Sequence, residues 1–489
     1  MGVGNLEGMK RMVGSPRGVI ARIGAQPIAG PRGVEYTRRP MSWRRNLVVI
    51  LAHGLRSDAV SSSRRHGSWP LLTPAMEKVG DRGARFVATS ACPADPGGLL
   101  SLVSGLHARQ HGAVDRREPV APPESFAAWL QEAGYRTAGV GRVAALEEGL
   151  DESVAVADLS EVEPSHCDYF DHLRKSNIAA AVSQQRRQRL RYGPFEPDRL
   201  LTQPDDDVDG FITRSAERSL AAMPTDAPWA LVVSYTGPGN ELPPPPLYDA
   251  VAEPDALDDG FIPADLRAVD ALAEPCFPRV LLQRLEPHQL GRIRADYLGR
   301  VSLIDYGVNR LHRAVKRRAD AGRTWVVVAS DHGYLLGEHG LVGPRSFLAG
   351  AVETPLLIAG PTDTAVPFHD ALVSTVDVAA TIAALSGCDL PEACTGRSLL
   401  PVFERQPVTP DPAGGLLSEF GERLMLETLR HKVVFETRGN RPLGLYDLFN
   451  DSEEKVNLVD TPAGWNVLDS LRWRVGDALM PLRAAATAV

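Results

Sequence analysis

Residues 326–340, VVVASDHGYLLGEHG, decide how this chain is read. The run up to Ala329 and Ser330 is apolar, β-branched and short, the pattern of a strand buried on both faces. It ends on Asp331 and His332. An adjacent carboxylate and imidazole at a strand end can both reach one divalent cation. Gly333 is the residue expected to let the backbone turn sharply away.

Working outward, four more runs share that composition: NLVVILA (46–52), RTAGVG (136–141), WALVVSY (229–235) and TPLLIAG (354–360). All are read as buried parallel strands, because helical patterns separate them: TPAMEKVGDRG, ESFAAWLQEAG, the stretch from about 287 to 320, and TVDVAATIAALSG. The predicted fold is α/β, a mostly parallel central sheet flanked by helices. In such sheets ligands sit beyond the carboxyl ends of the strands. The residues that matter are then His53, Arg142, Pro238 with Gly239, and Asp331 with His332. After about residue 400 the pattern changes to short strands (KVVFET, LGLYDLF) and one closing helix. The expected organisation is an extension over 1–43, with Met41 a candidate start, an α/β domain over 44–400 and a smaller α+β part over 401–489.

Composition narrows the partners. A formal charge of -8 argues against nucleic acid and anionic membrane surfaces. The basic run QQRRQRLR (184–191) is read as a solvated helix face, and the acidic run DDDVDG (205–210) as a solvated helix start. The latter opens like a calcium loop but carries Ala216 where a bidentate Glu is required. Five cysteines without metal-ligand spacing point to a reducing compartment. With no stretch resembling a signal peptide or a span, the expected location is cytoplasmic.

Eleven strings in order from residue 46 resemble the sulfatase family of the alkaline phosphatase superfamily: NLVVILAHGLRSDA, TPAMEKVGDRGARF, LLSLVSGLHARQHG, LQEAGYRTAGVGR, WALVVSYTGP, YLGRVSLIDYGVNRL, SDHGYLLGEHGLVG, VETPLLIAGP, VSTVDVAATIAALSG, TGRSLLPVF and LYDLFNDSEEKVNL. The resemblance implies the sulfatase-like fold, with a small carboxy-terminal part packed on the main sheet. It also implies a calcium or similar ion held by two Asp after the first strand, positions occupied here by Ala52 and His53. The family's nucleophile, a Cys converted to formylglycine in Cys-x-Pro-x-Arg, falls in register on Asp95, and the motif's Arg on Leu99. Cys92, in CPADP, is three residues out of register, so no formylglycine is expected. The sulfate-contacting Lys of the usual GKWH becomes Arg142 and its His becomes Ala144. The usual Pro-His becomes Pro238-Gly239, and a Lys expected after GLVG becomes Pro344. Asp331, His332, Arg142 and His111 remain as matches. Each donor that stabilises a developing anion is typically worth about 2.7–4 kcal/mol, so losing several should leave negligible sulfatase activity.

Two accounts of the remaining residues follow. In one, Asp331 and His332 brace the neighbouring loop, His53 is an ordinary strand-end residue, and the protein is a pseudo-sulfatase acting by binding a small anionic ligand or a protein partner, a second copy included. In the other, His53, Asp331 and His332 hold zinc or manganese rather than calcium. Asp95, Arg142 and His111 are then the catalytic candidates of a rebuilt phosphate- or sulfate-ester hydrolase or transferase. His107, His111 and His339 are also read as turn-bracing residues, and Cys92 as a buried thiol. The cofactor expectation is accordingly none, or one divalent metal.

Overall fold

The computed structural model describes residues 44–486 apart from 61–72, 115–119, 158–166, 193–201, 240–241, 253–268, 270, 275, 277–286, 362–364, 367–370, 409–413 and 439–440. The expected 1–43 extension lies outside the described residues.

Eight strands form the central sheet: β1 (Asn46–His53), β2 (Ala84–Thr89), β3 (Arg136–Gly141), β4 (Glu152–Ala155), β5 (Trp229–Pro238), β6 (Thr324–Ser330), β9 (Glu353–Ala359) and β10 (Val373–Ser374). The short strands β7 (Leu335–Leu336) and β8 (Val342–Gly343) form a hairpin apart from it. The order across the sheet is β10-β2-β9-β6-β1-β5-β3-β4. Alternation along β1 shows why these runs are apolar throughout. Val48, Ile50 and Ala52 join one core, while Leu47, Val49 and Leu51 join the core on the opposite face. The helices Pro74–Arg82, Val208–Ala222 and Pro287–Lys316 cover the first face; Gly97–Ser104, Phe126–Glu132 and Asp377–Ser386 cover the second. Each such side chain fully buried contributes about 1.5–3 kcal/mol.

One strand runs against expectation. TPLLIAG was assigned as parallel, but β9 pairs antiparallel with both β6 and β2. No crossover helix follows β6. Residues 331–352 stay at its carboxyl end, and β9 therefore starts there and runs back. A doubly covered strand is apolar in either direction, so its composition carries no sense of direction.

The carboxy-terminal strands β11 (Leu416–Phe420), β12 (Arg423–Glu427), β13 (His431–Glu436) and β14 (Arg441–Asp447) make an antiparallel sheet. One face packs on the helix Pro462–Ala486 through Leu468 and Leu471. The other packs on the segment that follows β6, where Phe420, Met425 and Val434 meet Phe347, Leu348 and Val352. Two polar runs differ from their expected solvation. Arg186 is buried against the rings of Tyr169 and Phe170. Asp207 and Asp209 do start a helix, with Asp207 as its N-cap, but both are buried and paired with Arg300. No described helix is long and apolar enough to cross a membrane.

Candidate functional site

The carboxyl ends of β1, β3 and β6 bring together His53, Arg142, Asp331 and His332, and the turn before the helix Gly97–Ser104 adds Asp95. Register explains part of this: β1 lies between β5 and β6, and His53 is opposite Pro238. Gly54 has φ +74, and a Cβ there would press on Gly239 at 3.0 Å, so the chain leaves β1 through a turn that glycine suits. Gly333 serves a different purpose from the sharp turn expected of it. Its φ is not positive; a Cβ would meet Gly350 O at 2.2 Å, so the residue permits close approach of two backbones.

Asp331 is the hub. His53 Nδ1 lies 2.6 Å from its Oδ2, while Oδ1 accepts from the backbone N–H groups of Gly54 (3.2 Å) and His332 (2.9 Å). Burial alone would raise this carboxyl, but His332, His53 with its hydrogen bond, and the Arg142 guanidinium overcome it and hold it far below the usual carboxylate range. An ionised carboxylate only accepts, so the His53 proton sits on Nδ1. His332 is fully buried, and its Nδ1 faces Gly333 O at 2.7 Å. A carbonyl also only accepts, so Nδ1 carries that proton too and Nε2 keeps a lone pair. His332 Nε2 has no hydrogen-bond partner among the described residues, and stands 3.9 Å from Asp331 Oδ2. Burial pushes the His332 imidazole below its ordinary range, favouring the neutral ring. The two rings meet edge to face, 4.6 Å between centroids.

One ligand atom from each of His53, Asp331 and His332 lies within 4.8 Å of the others. This is a set of two imidazoles and one carboxylate. It does not fit the calcium that the family resemblance implies, because calcium takes six to eight oxygen donors.

Asp95 is bound by Arg142, whose terminal nitrogen reaches both carboxylate oxygens at 2.9 Å. Burial opposes ionisation of Asp95, but Arg142, and after it His53, bring its carboxyl below the usual value. The remaining candidate, His111, makes its hydrogen bonds elsewhere: Nε2 to Ser101 Oγ at 2.9 Å, Nδ1 from Ala113 N–H at 3.2 Å. His107 stands at the N-cap position of the helix Ala108–His111, where its backbone N–H donates to Gln110 Oε1 at 2.8 Å, and His339 Nε2 reaches Glu453 O at 3.1 Å. Cys92 lies in the apolar cluster with Ala94, Phe347 and Phe420, its thiol pushed up to about 12 by burial. None of the described cysteines forms a disulfide.

Sequence reasoning passed over the residues that hold this arrangement. Ser330 Oγ accepts from Leu55 N–H and donates to His332 O; Ser90 Oγ donates to Asp331 O at 2.6 Å. Tyr297, from the long helix, accepts from Arg56 N–H and donates to Gly54 O, pinning the turn after His53. Ser330 and Tyr297 stood inside quoted strings, SDHGYLLGEHGLVG and YLGRVSLIDYGVNRL, but the partners of Tyr297 are backbone groups 241 and 243 residues away.

Comparison with known proteins agrees with this architecture. A family profile described as Sulfatase matches residues 45–388. A choline-sulfatase of Rhizobium meliloti is 26% identical over 428 residues, covering 81% of this chain and 79% of that protein. A multifunctional alkaline phosphatase superfamily protein of Trinickia caryophylli is 23% identical, covering 73% and 77%. Among solved structures, the phosphonate monoester hydrolase of Agrobacterium radiobacter aligns with a TM-score of 0.71 at 19% identity, covering 91% of this chain and 96% of that one. A 2-O GAG sulfatase aligns at 0.70 and 18%, covering 91% and 94%. With the mixed eight-stranded sheet, the strand-end Asp331–His332 pair and a match over residues 45–388, the chain belongs to the sulfatase family.

Proposed function

We propose that this sulfatase-family chain does not hydrolyse sulfate esters by formylglycine chemistry and acts instead through what its strand-end site binds. The observation that carries this is the Asp95–Arg142 pair. At the nucleophile position stands a carboxylate, and the one cation in the expected sulfate-contacting place is spent on it. Cys92, the only cysteine near in sequence, is buried in apolar surroundings, where the reactive thiolate is disfavoured.

The same pair sets what the site can attract. Asp95 and Asp331 place two carboxylates against one guanidinium, so a small anion must displace Asp95 from Arg142 before it gains a contact. Purified protein is expected to give no turnover of 4-nitrophenyl sulfate, and its Cys92 peptide the mass of unmodified cysteine. Inorganic phosphate should bind the Asp95→Ala variant on the order of tenfold more tightly than the parent, a difference of about 1.4 kcal/mol. Sulfatase turnover that survives Asp95→Ala, or a formylglycine at residue 92, would overturn the proposal.

A second reading, a metal-assisted hydrolase of phosphate- or phosphonate-type esters, is favoured by one observation: His53, Asp331 and His332 converge beside Asp95. The phosphonate monoester hydrolase of similar fold makes such esters the first substrates to screen. Turnover of 4-nitrophenyl phenylphosphonate that His53→Ala abolishes would support this reading over the first.

A further inference from the structure

We infer that this chain pairs with a second copy of itself through the outer face of its carboxy-terminal helix, Pro462–Ala486, in an antiparallel contact about a two-fold axis. The inference concerns a face other than the strand-end site, so it stands under either reading above.

The helix has two unlike sides. Leu468 and Leu471 are buried in the cluster that includes Val433 and Leu445 of the antiparallel sheet. At 3.6 residues per turn, Trp465, Asp469, Arg472 and Trp473 fall within an arc of about 100° on the side turned away from those leucines. Trp473 is 79% exposed and Trp465 59%. A single exposed apolar residue needs no explanation, but two indoles on one strip of one helix make a surface that gains by being covered.

The charges between the rings choose what covers it. Elsewhere on the helix surfaces, opposite charges three or four residues apart are closed on each other, as in Asp171 with Arg174 and Arg292 with Asp296. Asp469 and Arg472 have the same spacing and are exposed, yet neither makes an ion pair or side-chain hydrogen bond among the described residues. A face that carries one open acid and one open base is its own complement. With a two-fold axis between them, Asp469 of each helix meets Arg472 of the other, so one operation closes both pairs. In that register Trp473 of one copy and Trp465 of the other stand three residues apart at each end of the contact. That is about 4.5 Å along the helix, within the range at which aromatic rings pair.

The size of the surface is adequate. An indole buries about 150–250 Å² when fully covered. Four of them, with the surfaces they land on, supply a large share of the about 1,200–2,000 Å² buried in a stable protein pair. An anionic membrane would also draw tryptophans, but it gains nothing from Asp469 and meets a chain of net charge -8.

The test is self-association of the whole chain, followed by sedimentation equilibrium over a range of protein and salt concentrations. The expected result is a reversible monomer–dimer equilibrium. Trp473→Ala should raise its Kd at least 100-fold, and Trp465→Ala about tenfold. Asp469→Arg and Arg472→Asp should each raise it about 10–100-fold, because each sets like charges across the axis. The exchange Asp469→Arg/Arg472→Asp within one chain should return it to within about threefold of the parent, a recovery that mere stickiness of exposed tryptophan does not give. Since all four side chains are exposed, each variant should unfold, as a monomer, at the temperature of the monomeric parent. A parent that stays monomeric, a dimer untouched by Trp473→Ala, or an exchange variant as weak as the single changes would each overturn the inference. So would a monomer that instead co-sediments with phosphatidylcholine–phosphatidylserine vesicles and loses this in Trp473→Ala, which would give the face to a membrane.

Discussion

Two buried histidines in this molecule have opposite fates, and the contrast separates framework from site. His111 has both ring nitrogens answered, by Ser101 and Ala113, and it ties the helix Gly97–Ser104 to the turn that follows. His332, more deeply buried still, has one nitrogen answered and one without a partner among the described residues. The same division holds for the carboxylates. Asp209 accepts from Thr236 and Gly237 and, with Asp207, pairs with Arg300, whose remaining donors reach Leu242 O and Pro243 O. Asp331 is just as heavily bonded, but one of its partners, His53, is a partly exposed side chain. A buried polar cluster closed on itself supports the fold. One that ends in a lone pair is set up to receive something.

The largest effect should come from opening the closed cluster. Arg300→Met leaves Asp207 and Asp209 buried without their counter-ion, and chemical denaturation should show a loss of about 3–5 kcal/mol. A loss under about 1 kcal/mol would break the comparison from the framework side.

A somewhat smaller effect is expected from pH at His111. Burial lowers its pKa from 6.5 to about 4, so below 6.5 the unfolded chain takes up a proton that the folded chain refuses. Stability from this residue is thus complete above 6.5 and falls as pH drops toward 4, by at most about 1.4 kcal/mol per pH unit. The total over that window is on the order of 3 kcal/mol. Unfolding midpoints of parent and His111→Gln between pH 4.5 and 7 should therefore converge as the pH falls; parallel curves would show that His111 is not held neutral.

The smallest effect is expected at the open cluster. His332→Phe removes a bare buried nitrogen along with one hydrogen bond, terms of about 1–3 and 0.5–1.5 kcal/mol that oppose each other. By the same denaturation measurement the variant should lie within about 1 kcal/mol of the parent. A loss comparable to that of Arg300→Met would place His332 with the framework and remove the contrast.

How far the sequence reaches follows the same line. Periodicity and composition were enough for the buried strands, the α/β class and the change of pattern after residue 400, because burial on both faces makes every residue of a strand apolar and burial on one face every second residue. Strand-end position was enough to nominate His53, Arg142, Asp331 and His332, since the topology of such sheets puts their carboxyl ends together. The direction of β9 was not legible, because it depends on where the preceding loop leaves the chain. Neither was the burial of Arg186, Asp207 and Asp209, whose aromatic and ionic partners lie on other elements. Above all, the bond from Arg142 to Asp95 and the tautomers of His53 and His332 depend on atoms brought within 3 Å across gaps of 47 and 278 residues and of a single residue. A sequence states which donors and acceptors a chain owns. Only the packed structure decides which of them are already used and which nitrogen is left to bind.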